Sequence, residues 1–357
     1  MREDVAVAIG TIKGAFVLRD GEVEGPLFKG ERVPALAFDT RSTPARMLAG
    51  STSDWWGSGV RTSDDGGRTW SDPETRPLRF PDDSGASLGQ IWQLQPSTPT
   101  EPDVVYAGVE PAALFRSEDR GETWSLVRSL WDHPHRPLWQ PGFGGLGLHT
   151  ILVDPRDANR LLVAISAGGV YRSDDGGDTW IARNESIPTG DDPTNFPEFG
   201  QCVHKVSRDG QDPDKLFLQN HGGLFRSDDH AVTWNDIATD VPSDFGFPMV
   251  THPRAGDTAY AIPLDPEYRC VPEAKMQVWR TQDGGASWSP LGAGLPQDGA
   301  HFTILRDAFC HDGADPLGLY FGTRTGQVYG SADEGDSWEL LVEHLPAVLC
   351  VRAAAGG

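Results

Sequence analysis

Cysteine is scarce in this chain: four residues in 357 (Cys202, Cys270, Cys310, Cys350), with no Cys-x-x-Cys pair and no framework spacing. That excludes a disulfide-built scaffold and makes reduced thiols in a cytoplasmic setting the default expectation. Basic residues are also few. Thirty Lys and Arg face 52 Asp and Glu, a formal charge of −22 spread along the chain rather than held in a tail. Binding to nucleic acid or an anionic membrane by bulk electrostatics is thereby excluded, while a cationic ligand is permitted. Long apolar runs are absent: no segment approaches the roughly 18 residues of a membrane span. The opening "MREDVAVAIG" has two acids and too short an apolar run for a secretory signal.

Glycine (42) and proline (28) are plentiful without a strict period, as many short strands joined by turns require, and 12 Trp with 15 Phe suffice for a substantial core. One phrase recurs six times: "SDDGGRTW" (63–70), "SEDRGETW" (117–124), "SDDGGDTW" (173–180), "SDDHAVTW" (227–234), "TQDGGASW" (281–288) and "SADEGDSW" (331–338). The copies start 50 to 56 residues apart, the period of a propeller blade. Each follows a β-rich run such as "GVYR" or "GLFR", with further runs such as "LLVAIS" and "HTILVDP" upstream. With the strand after the Trp, every unit becomes a four-stranded meander.

The phrase S-x-D-x-G-x-T-W resembles the Asp-box of the BNR-repeat propellers, a group that includes sialidases, xyloglucanases, sortilin and a photosystem II assembly factor. The resemblance covers nearly the whole chain and places each box in the hairpin between a blade's third and fourth strands. There the Asp (Asp65, Asp119, Asp175, Asp229, Asp283, Asp333) accepts turn amides, glycine supplies positive φ and Trp packs between blades. The fourth copy has Ala231 where glycine is expected, so its turn should be less ideal. The N-terminal "VAVAIGTIKGAFVLRDGEVEGPLF" reads as three strands without a box, and "AVLCVRAA" near the C-terminus as a lone first strand. Together they predict an all-β, seven-bladed propeller of four-stranded antiparallel blades, a single domain over 1–357 closed by terminal strands.

The long irregular connections fall on one face: 51–59, 128–147, 185–202 and 263–276. Such loops on a rigid scaffold are where binding groups concentrate. His149 and His204 hold the same repeat position on neighbouring blades, Gln90 holds it one blade earlier, and His221 and Glu110 sit on the adjoining turns. His149, His204 and His221 are therefore the candidate ligands of a divalent transition metal such as Zn²⁺, with Glu110 and the histidines as proton carriers. Gln90, Trp139, Gln201, Asn220, Arg269 and Arg324 are candidate ligand-binding groups, the two arginines for a carboxylate. Trp55, Trp56, Trp131 and Trp139 can stack on a sugar or pack loops, and Asp54, Asp244 and Asp265 are candidate acids for glycoside cleavage.

These residues support a small-molecule-binding propeller with metal-assisted hydrolase or lyase chemistry. One alternative is a non-catalytic protein-binding or assembly scaffold, and a second is a glycosidase using paired carboxylates. A true sialidase is not expected, because the chain has no Arg-Ile-Pro motif, no clear arginine trio and no nucleophilic Tyr. Repeats fix architecture, not activity.

Overall fold

The structure, a computed structural model, describes residues 4–71, 78–190 and 194–355. Its strands form the seven blades of a β-propeller. In the first blade, Val348–Ala355 pairs with Val5–Thr11, which continues into Gly14–Arg19 and Glu22–Leu27. The second runs over Arg32–Asp39, Arg46–Ser53 and Gly57–Ser63, three strands among the described residues. The remaining five are four-stranded and span 90–126, 148–182, 203–236, 246–291 and 309–342. Among the described residues, no helix is long and apolar enough to cross a membrane.

By packing, the chain divides into two compact units. The first comprises Met1–Gly30, His204–His230 and Trp234–Gly357; the second comprises Glu31–Val203 with Ala231–Thr233. The closing strand lies wholly within the first unit. It runs antiparallel to Val5–Thr11, from Val5 opposite Ala355 to Thr11 opposite Val348. The box-free first blade turns instead on Asp20 and Gly21, both at positive φ, the tight hairpin that Asp-Gly favours.

The boxes act as turn staples. In the third copy Asp175 accepts the Thr179 amide at 2.9 Å, the Thr179 hydroxyl at 2.6 Å and the Ser173 hydroxyl at 2.8 Å. These bonds, the Thr179 hydroxyl foremost, lower the Asp175 carboxyl to about 2, so it remains ionised far into acid. Ser173 Oγ in turn accepts the Gly177 amide at 2.8 Å. Tryptophan then joins neighbouring segments: Trp288 Nε1 donates to the Ile237 carbonyl of the preceding blade at 2.8 Å. In the fourth copy Ala231 takes the left-handed φ of 67° that glycine would adopt without cost. Replacing Ser173 by Ala leaves the buried Gly177 amide without its acceptor, and thermal or urea melts should show a loss of about 1–3 kcal/mol. An unchanged midpoint would remove the staple role.

A second repeated device is harder to see in the sequence. At the end of the first strand in five blades, one side chain accepts the amide two residues on: Asp39, Asp154, Asp209, His252 and Asp312. Four are aspartates. In the fifth blade's successor, His252 uses Nδ1 to accept both the Arg254 and Ala255 amides, at 3.0 and 2.9 Å. The carboxylate and the imidazole nitrogen are interchangeable here because the turn needs only an acceptor.

Candidate functional site

The second unit carries an exposed aromatic and acidic surface. Between Arg46–Ser53 and Gly57–Ser63 the hairpin "DWWG" lifts Trp55 and Trp56 out of the protein, 89% and 72% exposed. Ser53 Oγ accepts both tryptophan amides at 3.2 Å, and Gly57 at φ 76° completes the turn. The indoles thus stand on a braced hairpin. Ser58 Oγ donates to the Gly89 carbonyl at 2.6 Å, tying this hairpin to the next blade just before Gln90. Gln90 lies directly opposite Glu110 across the ladder.

Glu110 Oε2 accepts the Trp92 indole N–H at 3.3 Å. The run "GFGGLG" (142–147) crosses both side chains. A Cβ on Gly145 would lie 2.2 Å from Glu110 Oε1, and one on Gly147 would lie 2.4 Å from Trp92 Nε1. Only glycine permits that approach, and Gly145 also needs its φ of 100°. Gly142 and Gly145 exchange two backbone hydrogen bonds, and the loop between them holds Phe143 out, 98% exposed. A half-buried carboxylate thus shares one unit with three exposed aromatic side chains.

The other candidates of this unit turn inward. His149 is fully buried, its Nδ1 at 3.1 Å from Thr150 Oγ1. Gln201 is fully buried and donates to the Ile187 and Pro197 carbonyls. Trp139, 4% exposed, donates to the Tyr171 hydroxyl at 2.8 Å, and Trp131 lies beneath the Arg136 guanidinium at 3.2 Å. These groups are occupied in holding loops. Of the four tryptophans weighed for stacking, only Trp55 and Trp56 face outward.

The first unit builds a different cluster. His204, 4% exposed, has Nδ1 at 2.5 Å from the Gly246 carbonyl. A carbonyl only accepts, so Nδ1 carries the proton and Nε2 the lone pair. Burial, then the nearby Arg306, pulls the His204 imidazole down to about 3, so it is neutral at physiological pH. Its ring is 5.5 Å from the His221 ring, 5.4 Å from Phe245 and 4.9 Å from Phe247. Arg269, itself at φ 58°, lies over Phe245 and Phe247 at 5.4 and 6.0 Å. Its backbone is held by its own amide to the Asp265 carbonyl, 2.7 Å, and by Thr303 Oγ1 to its carbonyl, 2.8 Å.

His204 and His221 are therefore brought together with Arg269. His149 belongs to the other unit, so the first unit supplies two of the three predicted metal ligands. Asn220, next to His221, is 3% exposed and its Oδ1 has no hydrogen-bond partner. Arg324 is exposed, as is Asp244, and Asp265 spends its carboxylate on the Glu267 and Tyr268 amides. Sequence reasoning missed Trp92, Phe143, Phe245 and Phe247. The alternation in "DFGFP" and the glycine density of 142–147 were the available signals.

No known protein-family profile matches the chain. A xyloglucanase, Xgh74A of Acetivibrio thermocellus, is 26% identical over 272 residues, covering 67% of this chain and 30% of the relative. A probable oligoxyloglucan-reducing end-specific xyloglucanase of Neosartorya fischeri is 32% identical over 242 residues, covering 58% and 27%. The chain thus spans under a third of the length of these curated relatives. Among solved structures, an ancestral GH74 enzyme superposes with a TM-score of 0.58 at 17% identity, over 86% of this chain and 38% of that one. YCF48 from Cyanidioschyzon merolae gives 0.53 at 14%, over 88% and 86%. Both likenesses establish the fold.

Proposed function

We propose that this chain, a seven-bladed β-propeller, recognises a neutral polysaccharide of the β-glucan type through its second unit. One observation carries the reading: two adjacent indoles, braced by Ser53, stand almost wholly in solvent. A soluble protein exposes such surface where a partner covers it. The apolar face of a pyranose ring stacks on an indole, while the acceptors of Glu110 and the amide of Gln90 suit sugar hydroxyls. Xyloglucanase relatives make a glucan backbone the first substrate to test. The charge of −22 disfavours acidic glycans.

Should the bound chain be cleaved, Glu110 is the candidate acid, and Asp54, next to Trp55 on the same unit, is the candidate for the second carboxylate. The metal-assisted chemistry considered from the sequence has no part in this reading. Xyloglucan oligosaccharides titrated calorimetrically should bind, and Trp55→Ala with Trp56→Ala should weaken binding about tenfold or more. Glu110→Gln should abolish any release of reducing ends. Failure of xyloglucan, cellulose oligomers and mixed-linkage glucan alike to bind would overturn the assignment.

A further inference from the structure

The sixth blade, 246–291, departs from the other six at one connection. Between their second and third strands those blades turn in two to five residues, as at 111–112, 221–222 and 323–327. The sixth instead inserts fourteen residues, 264–277, between Ala259–Pro263 and Val278–Thr281. An insertion of that length, in a repeat whose turns are otherwise minimal, does more than connect. It is firmly held. Val271 and Met276 sink into the core, 4% and 0% exposed. Val271 N donates to the Phe302 carbonyl at 2.9 Å, Met276 N to the Pro296 carbonyl at 3.0 Å, and Ala300 N to the Ala274 carbonyl at 2.9 Å. Between these anchors Glu273 and Ala274 hold φ of 54° and 53°, left-handed conformations that non-glycine residues keep only where their surroundings enforce them.

With Pro242, Pro263 and Trp279, the insertion lines a cavity of about 190 Å³. That volume is below the roughly 300–1,000 Å³ of sites for drug-sized ligands and admits a single ring. Val271 and three proline rings make its apolar wall. Trp279 and Gln277 are only partly buried, so both keep surface for a ligand. The exposed lining is an ion pair, Lys275 Nζ donating to Glu273 Oε2 at 2.5 Å. Both signs are present there and cancel. A charged ligand has to compete with that pair, whereas a hydroxyl can donate to its carboxylate and accept from its ammonium. The Gln277 amide adds a donor and an acceptor, and an indole stacks on C–H bonds. One aromatic plane with three hydrogen-bonding side chains suits a saturated ring that carries hydroxyls on its edge and C–H bonds on its faces.

We propose that the 264–277 insertion builds a binding site for a single uncharged pyranose ring. Trp279 and the prolines receive its faces, and Gln277 with the Glu273–Lys275 pair takes its hydroxyls. The bracing of the insertion by 296–302 sets the cavity before any ligand arrives, which lowers the entropic cost of binding. The site lies in the first unit and uses no residue of the glucan surface at Trp55 and Trp56.

The methyl glycosides of glucose, galactose, mannose and xylose are the probes, titrated into the full chain and followed by the indole N–H resonances. Trp279→Phe assigns the signal of Trp279. At least one glycoside should move that signal saturably, with a dissociation constant on the order of millimolar for so small a ligand. The uronic acid of the same sugar should bind more weakly. Gln277→Leu keeps the side-chain bulk, removes the amide and should weaken binding about tenfold. Trp55→Ala with Trp56→Ala should leave the Trp279 response unchanged. Melting curves establish that each variant is folded. A Trp279 signal that none of the four glycosides moves would overturn the proposal, as would binding unaltered in folded Gln277→Leu. Tighter binding of the uronic acid would overturn the choice of an uncharged ring. None of these results bears on glucan binding at Trp55 and Trp56, so the two readings fail separately.

Discussion

Deleting residues 345–357 should abolish cooperative unfolding and leave an aggregating protein. The strand Val348–Ala355 is the innermost of its blade and supplies Val5–Thr11 with its pairing partner. Val348, Cys350 and Val351 are all fully buried. The two valines alone represent about 3–6 kcal/mol of apolar burial. Their loss would be compounded by exposure of the Val5–Thr11 edge, whose residues are themselves entirely buried. An unpaired apolar edge recruits other chains. The strand also ties two neighbouring segments, with Val351 N donating to the Asp307 carbonyl at 2.8 Å and Val348 N to that of Thr323 at 3.1 Å. Urea titration followed by tryptophan fluorescence measures the effect. A truncated protein that melts at the original midpoint would show that terminal closure contributes nothing.

Replacing Asp307 by Asn should be the most damaging single substitution in the first unit, at about 3–5 kcal/mol. The Asp307 side chain is 4% exposed and lies 2.9 Å from Lys205 Nζ and 2.5 Å from Arg352 Nη2. Three separate strand regions thus meet on one carboxylate. Asparagine would leave two cations facing each other in poor solvent. Burial by itself would raise the Asp307 carboxyl, but Lys205 and Arg352 prevail and hold it below the ordinary range. A carboxyl whose folded pKa is depressed stabilises the protein fully above its unfolded pKa. That contribution disappears as pH falls through the folded value. The difference in stability between the parent and Asp307→Asn should therefore be constant near neutrality and shrink in acid. Adding Lys205→Met to Asp307→Asn should restore part of the loss, because the repelling charge goes with it. A single substitution costing under about 1 kcal/mol, the level of an exposed pair, would refute the role given to the cluster.

The architecture was legible because it is written in short-range turn chemistry repeated six times. Ser, Asp, Gly, Thr and Trp each have one job in the hairpin, and the spacing between copies sets the blade. Closure was legible as well, since "VAVAIG" and "AVLCV" are apolar runs with no other partner available. The acceptor at the end of the first strand escaped notice because aspartate in four blades is replaced by His252 in another, and residue identity hides the shared function. The candidate sites were harder to read for a different reason. Repeat position put His149 and His204 in equivalent places, but position along a strand does not say which hydrogen bond orients an imidazole. His149 is spent on Thr150 and enclosed, whereas His204 is aimed by Gly246 toward Phe245, Phe247 and His221. Trp139 and Trp55 are equally indole, yet a tyrosine hydroxyl draws one inward and a serine-braced hairpin holds the other out. Those differences live in tertiary neighbours that no local pattern encodes.

The seam between the terminal strands also contains its own reporter. Cys350 sits in the closing strand with no exposed surface, and burial pushes its thiol up to about 12. Cys310 is raised to about 12 in the same way. Since the thiolate is the reacting species, an alkylating reagent at neutral pH meets an inert sulfur while the seam is shut. Each opening would expose a fresh cysteine of ordinary reactivity. Cys202 and Cys270, only partly buried, provide the faster internal standard. The rate at which Cys350 is labelled in the unaltered protein is therefore a clock for how often the ring comes apart at its join.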